Sequence, residues 1–288
     1  MKVGIHIFAT DETITVAELA SEVEARGFES IWLPEHTHIP TSRQSEWYRG
    51  RDLPREYART VDPYVALATA IATTTKLKLG TGISLVAQHD PIVLAKTIAT
   101  LDYLSGGRVM FGVGLGWNIE EMVDHGVNPK MRRSTVREKV MSMQGLWSND
   151  TFGYDGKYVQ FSESWLWPKP IQPGGPPVIM GGRGGELAYK HIAEFCHGWL
   201  PDINMFKRDR LPEMIKELGE ACAAIGRNPS EVPVSATGVT ADPEVITWLN
   251  SIGIERGLFL VPSGGADVVL PLLDKIKEAN DQAEGVTS

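Results

Sequence analysis

The sequence predicts a (β/α)8 TIM barrel formed by residues 1–288 as a single domain, with insertions after its second and fourth strands. Three observations point there. Short apolar runs alternate with helical patterns eight times along the chain. The runs are continuous rather than alternating, as in parallel strands covered on both faces. The chain has 288 residues, and such a barrel typically needs ~250, which leaves room for insertions. A doubly wound open sheet is the competitor. It has fewer strands and wants a glycine fingerprint after the first one, where this chain has none.

Each element has a local reason. Residues 2–8 form the first apolar run, and a helix follows with Thr15 and Glu18 at capping-box spacing, Leu19 and Val23 on one face and Gly27 as its stop. Residues 28–33 are the second strand, and the long polar stretch 37–60 is the first insertion. Asp62-Pro63 opens the next helix as N-cap and first residue, with its end near Thr74. The third strand is read over 77–85, and Asp90-Pro91 starts a helix to about 104. The fourth strand spans 108–115, followed by a second capping-box pair, Asn118 and Glu121. A helix pattern runs from about 133 to 147, and 150–161 reads as a hairpin around Asp155-Gly156. Residues 177–180 are the fifth strand, with a helix over 186–195, and Trp199-Leu200 is a short sixth. A helix over 211–225 leads to the seventh strand at 232–236 and to a helix opened by Asp242-Pro243. The eighth strand, 258–261, precedes a last helix to about 279.

Composition narrows the function. With 42% hydrophobic residues and 22% charged ones, the chain has the balance of a globular domain. Its net charge is −8 (28 basic, 36 acidic residues), without a basic stretch, which argues against nucleic acid and anionic membranes as partners. Cys196 and Cys222 are the only cysteines, so a disulfide scaffold is excluded and a reducing compartment fits. The apolar start is too short for a signal peptide, and no stretch reaches the ~20 apolar residues of a membrane span. A cytoplasmic location is expected.

In this architecture the chemistry gathers at the carboxyl ends of the strands. After the second strand stand Glu35 and His36, the most capable pair: an imidazole titrates near neutrality and a neighbouring carboxylate can tune it. The alternative is a histidine that only packs. His36 and His38 could face one metal ion, but no second cluster has ligand spacing, so no metal site is assigned. Gly181-Gly182-Arg183-Gly184-Gly185 before a helix suits a phosphate, through glycine backbone, helix N-terminus and guanidinium. The run Gly112 to Trp117 fails the dinucleotide pattern; as a barrel strand, its small residues leave room for a flat ligand. The 37–60 insertion, with Trp47, Tyr48 and Tyr57 among Arg43, Arg49, Arg51 and Arg55, reads as a lid or as a solvated loop. Trp165 and Trp167 are expected to pack, and Asp102 with Arg108 to form a structural ion pair. The elbow, phosphate-loop and zinc-helix signatures of common hydrolases and phosphotransferases do not occur.

Several of these blocks together resemble the luciferase-like monooxygenase superfamily. They are Ser30-Ile31-Trp32-Leu33-Pro34-Glu35-His36, Leu79-Gly80-Thr81-Gly82 with Asp90-Pro91, and Leu101 to Arg108. Phe111 to Trp117, and Pro168-Lys169-Pro170-Ile171-Gln172 with Pro176-Pro177, complete the set. They keep family order from residue 3 to about 201; the last third agrees only in its βα rhythm. The 34–40 run and the long insertion resemble the deazaflavin branch, which uses coenzyme F420. The resemblance implies a bulge with a non-prolyl cis peptide at Gly82-Ile83, backing the middle of the cofactor ring. It places Glu35 and His36 near the ring, with Gly114, Gly116, Trp117 and Asn118 beside it. It gives the phosphate to Gly181, Gly182 and Arg183, and it implies a homodimer.

The resulting expectation is hydride transfer between F420 and a small organic substrate, with His36 as proton donor, acceptor or ring anchor and Glu35 tuning it. The alternatives are an FMN-dependent monooxygenase, a non-catalytic flavin or deazaflavin carrier, and, last, a metal-dependent hydrolase. Bacterial luciferases carry a long lid after the seventh strand, whereas only residues 237–241 follow it here. Oxygenase chemistry, which must be shielded from water, is disfavoured by that difference.

Overall fold

The structure is a computed structural model that describes residues 1–47 and 50–287. Eight parallel strands form the barrel: β1 (Lys2–Ile7), β2 (Ser30–Leu33), β3 (Lys78–Thr81), β4 (Val109–Val113), β7 (Val178–Gly181), β8 (Gly198–Leu200), β9 (Ser235–Val239) and β10 (Arg256–Val261). Their order is β8-β7-β4-β3-β2-β1-β10-β9. Parallel bridges Trp199–Val234 and Asp202–Thr237 join β8 to the β9 side, so the barrel is nearly closed. The helices α1 (Val16–Ala25), α2 (Pro63–Thr73), α3 (Pro91–Ser105), α4 (Ile119–Asp124), α5 (Arg132–Ser148), α6 (Glu186–Phe195), α7 (Leu211–Ala223), α8 (Pro243–Ser251) and α9 (Ala266–Thr287) connect them. An antiparallel hairpin, β5 (Thr151–Asp155) and β6 (Gln160–Trp165), stands between α5 and β7.

The caps read from sequence are formed. Thr15 accepts from Glu18 N, Asp62 from Val65 N, Asp90 from Ile92 and Val93 N, and Asp242 from Glu244 N. Each satisfies amide donors that the first helical turn leaves without intrahelical partners. Some boundaries move. The third strand ends at Thr81 instead of 85, because the chain enters a bulge with a cis Gly82-Ile83 bond, in which Gly82 N donates to Leu33 O and Ser84 N to Gly112 O. The seventh strand lies at 235–239 rather than 232–236: Pro233 has no N–H for a ladder, and its carbonyl accepts from Trp199 N instead. The last helix runs past 279, carried by pairs such as Lys277 with Asp281 and Asn280 with Glu284.

Two side-chain expectations are corrected. Asp102 and Arg108 do not pair. Asp102 accepts from Gln172 N and Nε2, while Arg108 donates to Ser105 O, Thr74 Oγ1 and Leu77 O. Carbonyls and a threonine hydroxyl satisfy the buried guanidinium without a carboxylate. Trp165 and Trp167 do not pack in the core; both are exposed, with Lys169 Nζ 5.2 Å from the Trp167 ring centre. Among the described residues no helix is long and apolar enough to cross a membrane.

Among the described residues two apolar clusters divide the interior. The larger lies between strands and helices; the smaller, Trp32, Met110, Ile179, Leu200 and Leu258, fills the barrel. Trp32 is fully buried, its Nε1 donating 2.9 Å to Ser30 Oγ. Its bulk is possible because β3 carries glycine beside it: a Cβ at Gly80 would lie 2.3 Å from Trp32 Cδ2. Gly80→Ala is therefore expected to lower the unfolding free energy by about 1–3 kcal/mol in urea titration. Combined with Trp32→Phe it should cost less than the two changes summed; simple additivity would place the strain elsewhere.

Candidate active site

A cavity of about 480 Å3 opens at the carboxyl ends of the barrel strands. It gathers Glu35, His36, Gly82, Ile83, Gly114, Gly116, Trp117, Gly181, Gly182 and Arg183, all of the expected site residues except Asn118. Asn118 is buried and caps α4, its Oδ1 accepting from Glu121 N at 3.2 Å. Its part is to start the helix that carries Glu121.

Glu121 is the group that sequence reasoning missed. Its Oε2 lies 2.8 Å from His36 Nδ1, and its Oε1 accepts from Thr37 N at 3.1 Å. The sequence spacing marked it only as a capping partner of Asn118; the carboxylate instead turns to the end of β2. Trp117 Nε1 donates to His36 Nε2 at 3.2 Å. With that donor on Nε2, the neutral ring carries its proton on Nδ1, directed at Glu121.

Glu35 does not touch His36, which corrects the expected tuning pair. Consecutive residues leave the strand in different directions, and its carboxylate serves the bulge. Oε2 accepts from Leu85 N at 2.6 Å and from Tyr64 Oη at 3.2 Å, and Oε1 lies 2.6 Å from His89 Nε2. Burial, with Glu35 beside it, pushes the Tyr64 hydroxyl well above its ordinary value. His38 turns to Asp124, 3.0 Å away, so the two histidines face different carboxylates. Among the described residues no group of three or more His, Cys, Asp or Glu could hold a metal ion.

The bulge gives the cavity a smooth wall. A Cβ at Gly114 would lie 2.3 Å from Ile83 Cδ1, and one at Gly181 2.5 Å from Ile83 Cγ2. Larger residues there would collide with Ile83, so this wall is backbone and one isoleucine, a surface that accepts a planar ring. At the rim stand Arg132, Arg133 and Arg183, the last donating to Met205 O at 3.0 Å. Gly182 and Gly185 have φ of 118° and 126°, a region that glycine alone enters readily, and α6 starts at Gly185 without a side-chain cap.

The insertion after β2 closes over part of the cavity. Tyr57 lines it, 4.4 Å from the Phe8 ring centre and 5.4 Å from that of His36. Trp47 stands edge-on to Tyr57 at 5.6 Å, while Tyr48 and Arg49 lie outside the described residues. The segment is latched rather than loose. Glu120 accepts from Ser45 N, Ser45 Oγ and Gln44 N, and Arg59 pairs with Asp11. Burial opposes the Glu120 charge, but these hydrogen bonds outweigh it and hold the carboxyl at about 2. Sequence reading also passed over His6 and Thr237 in the cavity wall. His6 looked like one more residue of an apolar strand. Burial holds its pKa at about 4, the adjacent Gly82 backbone only partly opposing the shift.

Residues 6–242 match the family model for luciferase-like monooxygenases. An uncharacterized protein of Mycobacterium tuberculosis is 41% identical over 279 residues, 96% of this chain and 97% of its own length. A 5,10-methylenetetrahydromethanopterin reductase of Methanolobus tindarius is 24% identical over 238 residues, 82% of this chain and 64% of the reductase. Among solved structures, monooxygenase RslO1 from Streptomyces bottropensis is similar with a TM-score of 0.81 at 18% identity, over 97% of this chain and 98% of that one. An F420-dependent secondary alcohol dehydrogenase, solved with an F420-acetone adduct, gives 0.76 at 19% identity over 98% of both chains. At these identities the structural likenesses speak for the fold.

Two outcomes follow from the geometry. Glu120→Ala strips the acceptor from Gln44 N and Ser45 N, so amide exchange at these two residues should rise by about tenfold or more. Unchanged exchange would show that the latch does not hold the segment. For His6 the unfolded chain binds a proton between pH 6.5 and about 4 that the folded chain refuses. The stability difference is therefore absent above that window and grows against the fold as pH falls through it. His6→Gln should make the urea midpoint fall less steeply across the window than in wild type; parallel profiles would contradict the assignment.

Proposed function

The chain belongs to the luciferase-like monooxygenase family, and we propose that it is an F420-dependent oxidoreductase moving hydride between the deazaflavin and a small organic substrate. The observation that carries this reading is the combination, in one cavity, of the Ile83-backed glycine wall and the arginines at its rim. A planar ring suits the first. An acidic cofactor tail suits the second, with Arg183 and the start of α6 as phosphate donors. The F420-dependent dehydrogenase of the same fold and the methanopterin reductase relative support it.

The bound deazaflavin supplies a two-electron hydride carrier. The protein's own part is positioning and proton handling. Glu121 fixes the His36 ring through Nδ1 and stabilises it when it is protonated. Nε2, held by the Trp117 indole, is the atom at which His36 takes up or gives a proton once that contact is released. Glu35 acts through the backbone, keeping the bulge in place at Leu85 N. Tyr57 and the latched insertion exclude part of the solvent.

The second reading is an FMN-dependent monooxygenase, which the likeness to RslO1 favours. Against it stands the short link from β9 to α8, residues 240–242, which leaves no long cover at that edge for oxygen chemistry.

Fluorescence-quenching titration with F420 and separately with FMN decides between the two. Saturable F420 binding, weakened about tenfold by Arg183→Ala, is the expected result. A preference for FMN would transfer the chain to the second reading, and binding of neither would refute both.

A further inference from the structure

The cavity has a side that the cofactor reading leaves unused. His6 on β1 is 8% exposed and lines the cavity, and its Nε2 is buried with no hydrogen-bond partner among the described residues. A buried polar atom left so is costly and calls for an explanation. The other nitrogen, Nδ1, stands 3.2 Å from Thr237 Oγ1. A hydroxyl can donate or accept, so the imidazole can present either an N–H or a lone pair at Nε2. That adaptability suits an uncharged oxygen that is a carbonyl in one oxidation state and a hydroxyl in the other.

The neighbours of His6 along this wall are aromatic. His6 stacks beside Phe8 at 6.0 Å, Phe8 meets Tyr57 at 4.4 Å, and Tyr57 meets Trp117 edge-on at 6.2 Å. Burial disfavours the charged form of His6. Asp202, whose backbone bridges to Thr237, lines the same cavity, so an anion placed beside Thr237 meets negative charge. Arg183 follows β7, which stands four places from β1 in the strand order, across the barrel.

We infer that the substrate is an uncharged aromatic or alicyclic carbonyl compound, or the matching alcohol, with its ring against Phe8, Tyr57 and Trp117 and its oxygen on His6 Nε2. The inference rests on the hydride-transfer reading above. Reduction brings a hydride from the reduced deazaflavin to the carbonyl carbon and a proton, ultimately from solvent, to the oxygen; oxidation is the reverse. His6 is the specificity contact, and Thr237 positions it.

The test is calorimetric or NMR titration with two probes that share a ring and a ketone, acetophenone and the anion 4-acetylbenzoate, each with and without F420. Wild-type protein should bind acetophenone saturably and 4-acetylbenzoate about tenfold more weakly. His6→Phe should weaken acetophenone about tenfold, while His6→Gln, whose amide reaches the Nε2 position, retains most of the affinity. Thr237→Val, a gentler change, should weaken it severalfold. F420 affinity should be the same in all variants. Acetophenone affinity unchanged in His6→Phe and Thr237→Val overturns the inference, as does equal binding of the two probes or no binding of acetophenone. F420 weakened by His6→Phe overturns it too, by giving Nε2 to the cofactor. Failure of F420 to bind wild type refutes the hydride-transfer reading instead; the probe titrations without F420 then still decide whether His6 holds a neutral oxygen.

Discussion

The packing of Trp32 inside the barrel is the constraint on which the rest depends. A fully buried indole at the centre of eight strands demands space from its neighbours, and Gly80 and Gly4 provide it; a Cβ at either would meet Trp32 or the side chains around it. With the interior filled by Trp32, Met110, Ile179, Leu200 and Leu258, the cavity can form only above that layer. Gly82 lies directly above the Trp32 side chain: a Cβ there would stand 3.3 Å from both Trp32 Cβ and His6 Nε2. The bulge, the floor and the buried imidazole are thus set by one packed ring.

Above that floor, buried carboxylates do the arranging. Glu35 takes an amide, a phenol and an imidazole from the β3 side, and Glu121 takes an imidazole and an amide from the β2 side. A buried carboxylate is costly unless its acceptor sites are filled, so these contacts leave the bulge and the His36 ring little freedom. Glu120 and Asp124, next to Glu121 on α4, hold the following part of the insertion through Ser45 and His38. The two insertions are therefore one structure: the helix after β4 is the clamp for the segment after β2.

Legibility in the sequence followed the range of the interactions. Strands, caps and glycine-rich ends were readable because a run, an Asp-Pro pair or a glycine cluster states its purpose within a few residues. The ladder ends at Thr81 and Ser235 were not, because a bulge and a proline decided them through partners on other strands. Glu35 beside His36 suggested a pair, and Asp102 near Arg108 another, yet in both cases chain proximity misled. His36 finds its carboxylate 85 residues away, and Arg108 is satisfied by carbonyls and a threonine hydroxyl. His6 left no signal at all: in a buried strand it reads as a core residue, and only the bulge placed against it makes it part of the site.

The same geometry divides the cavity by charge, and the division orders what enters it. The chain carries −8 overall, yet Arg132, Arg133 and Arg183 all reach this one cavity. The first two come from α5 and the last from the loop after β7. His6 comes from β1 across the barrel, Phe8 from just past its end, and Tyr57 from the insertion. A ligand with an anionic tail and a flat head can satisfy both regions in only one orientation, tail at the arginine rim and head on the Ile83 wall. What remains is the aromatic side, where a neutral ring loses least on leaving water. In this reading cofactor and substrate recognition fall on different strands, and they meet where the bulge at Gly82 packs against His6.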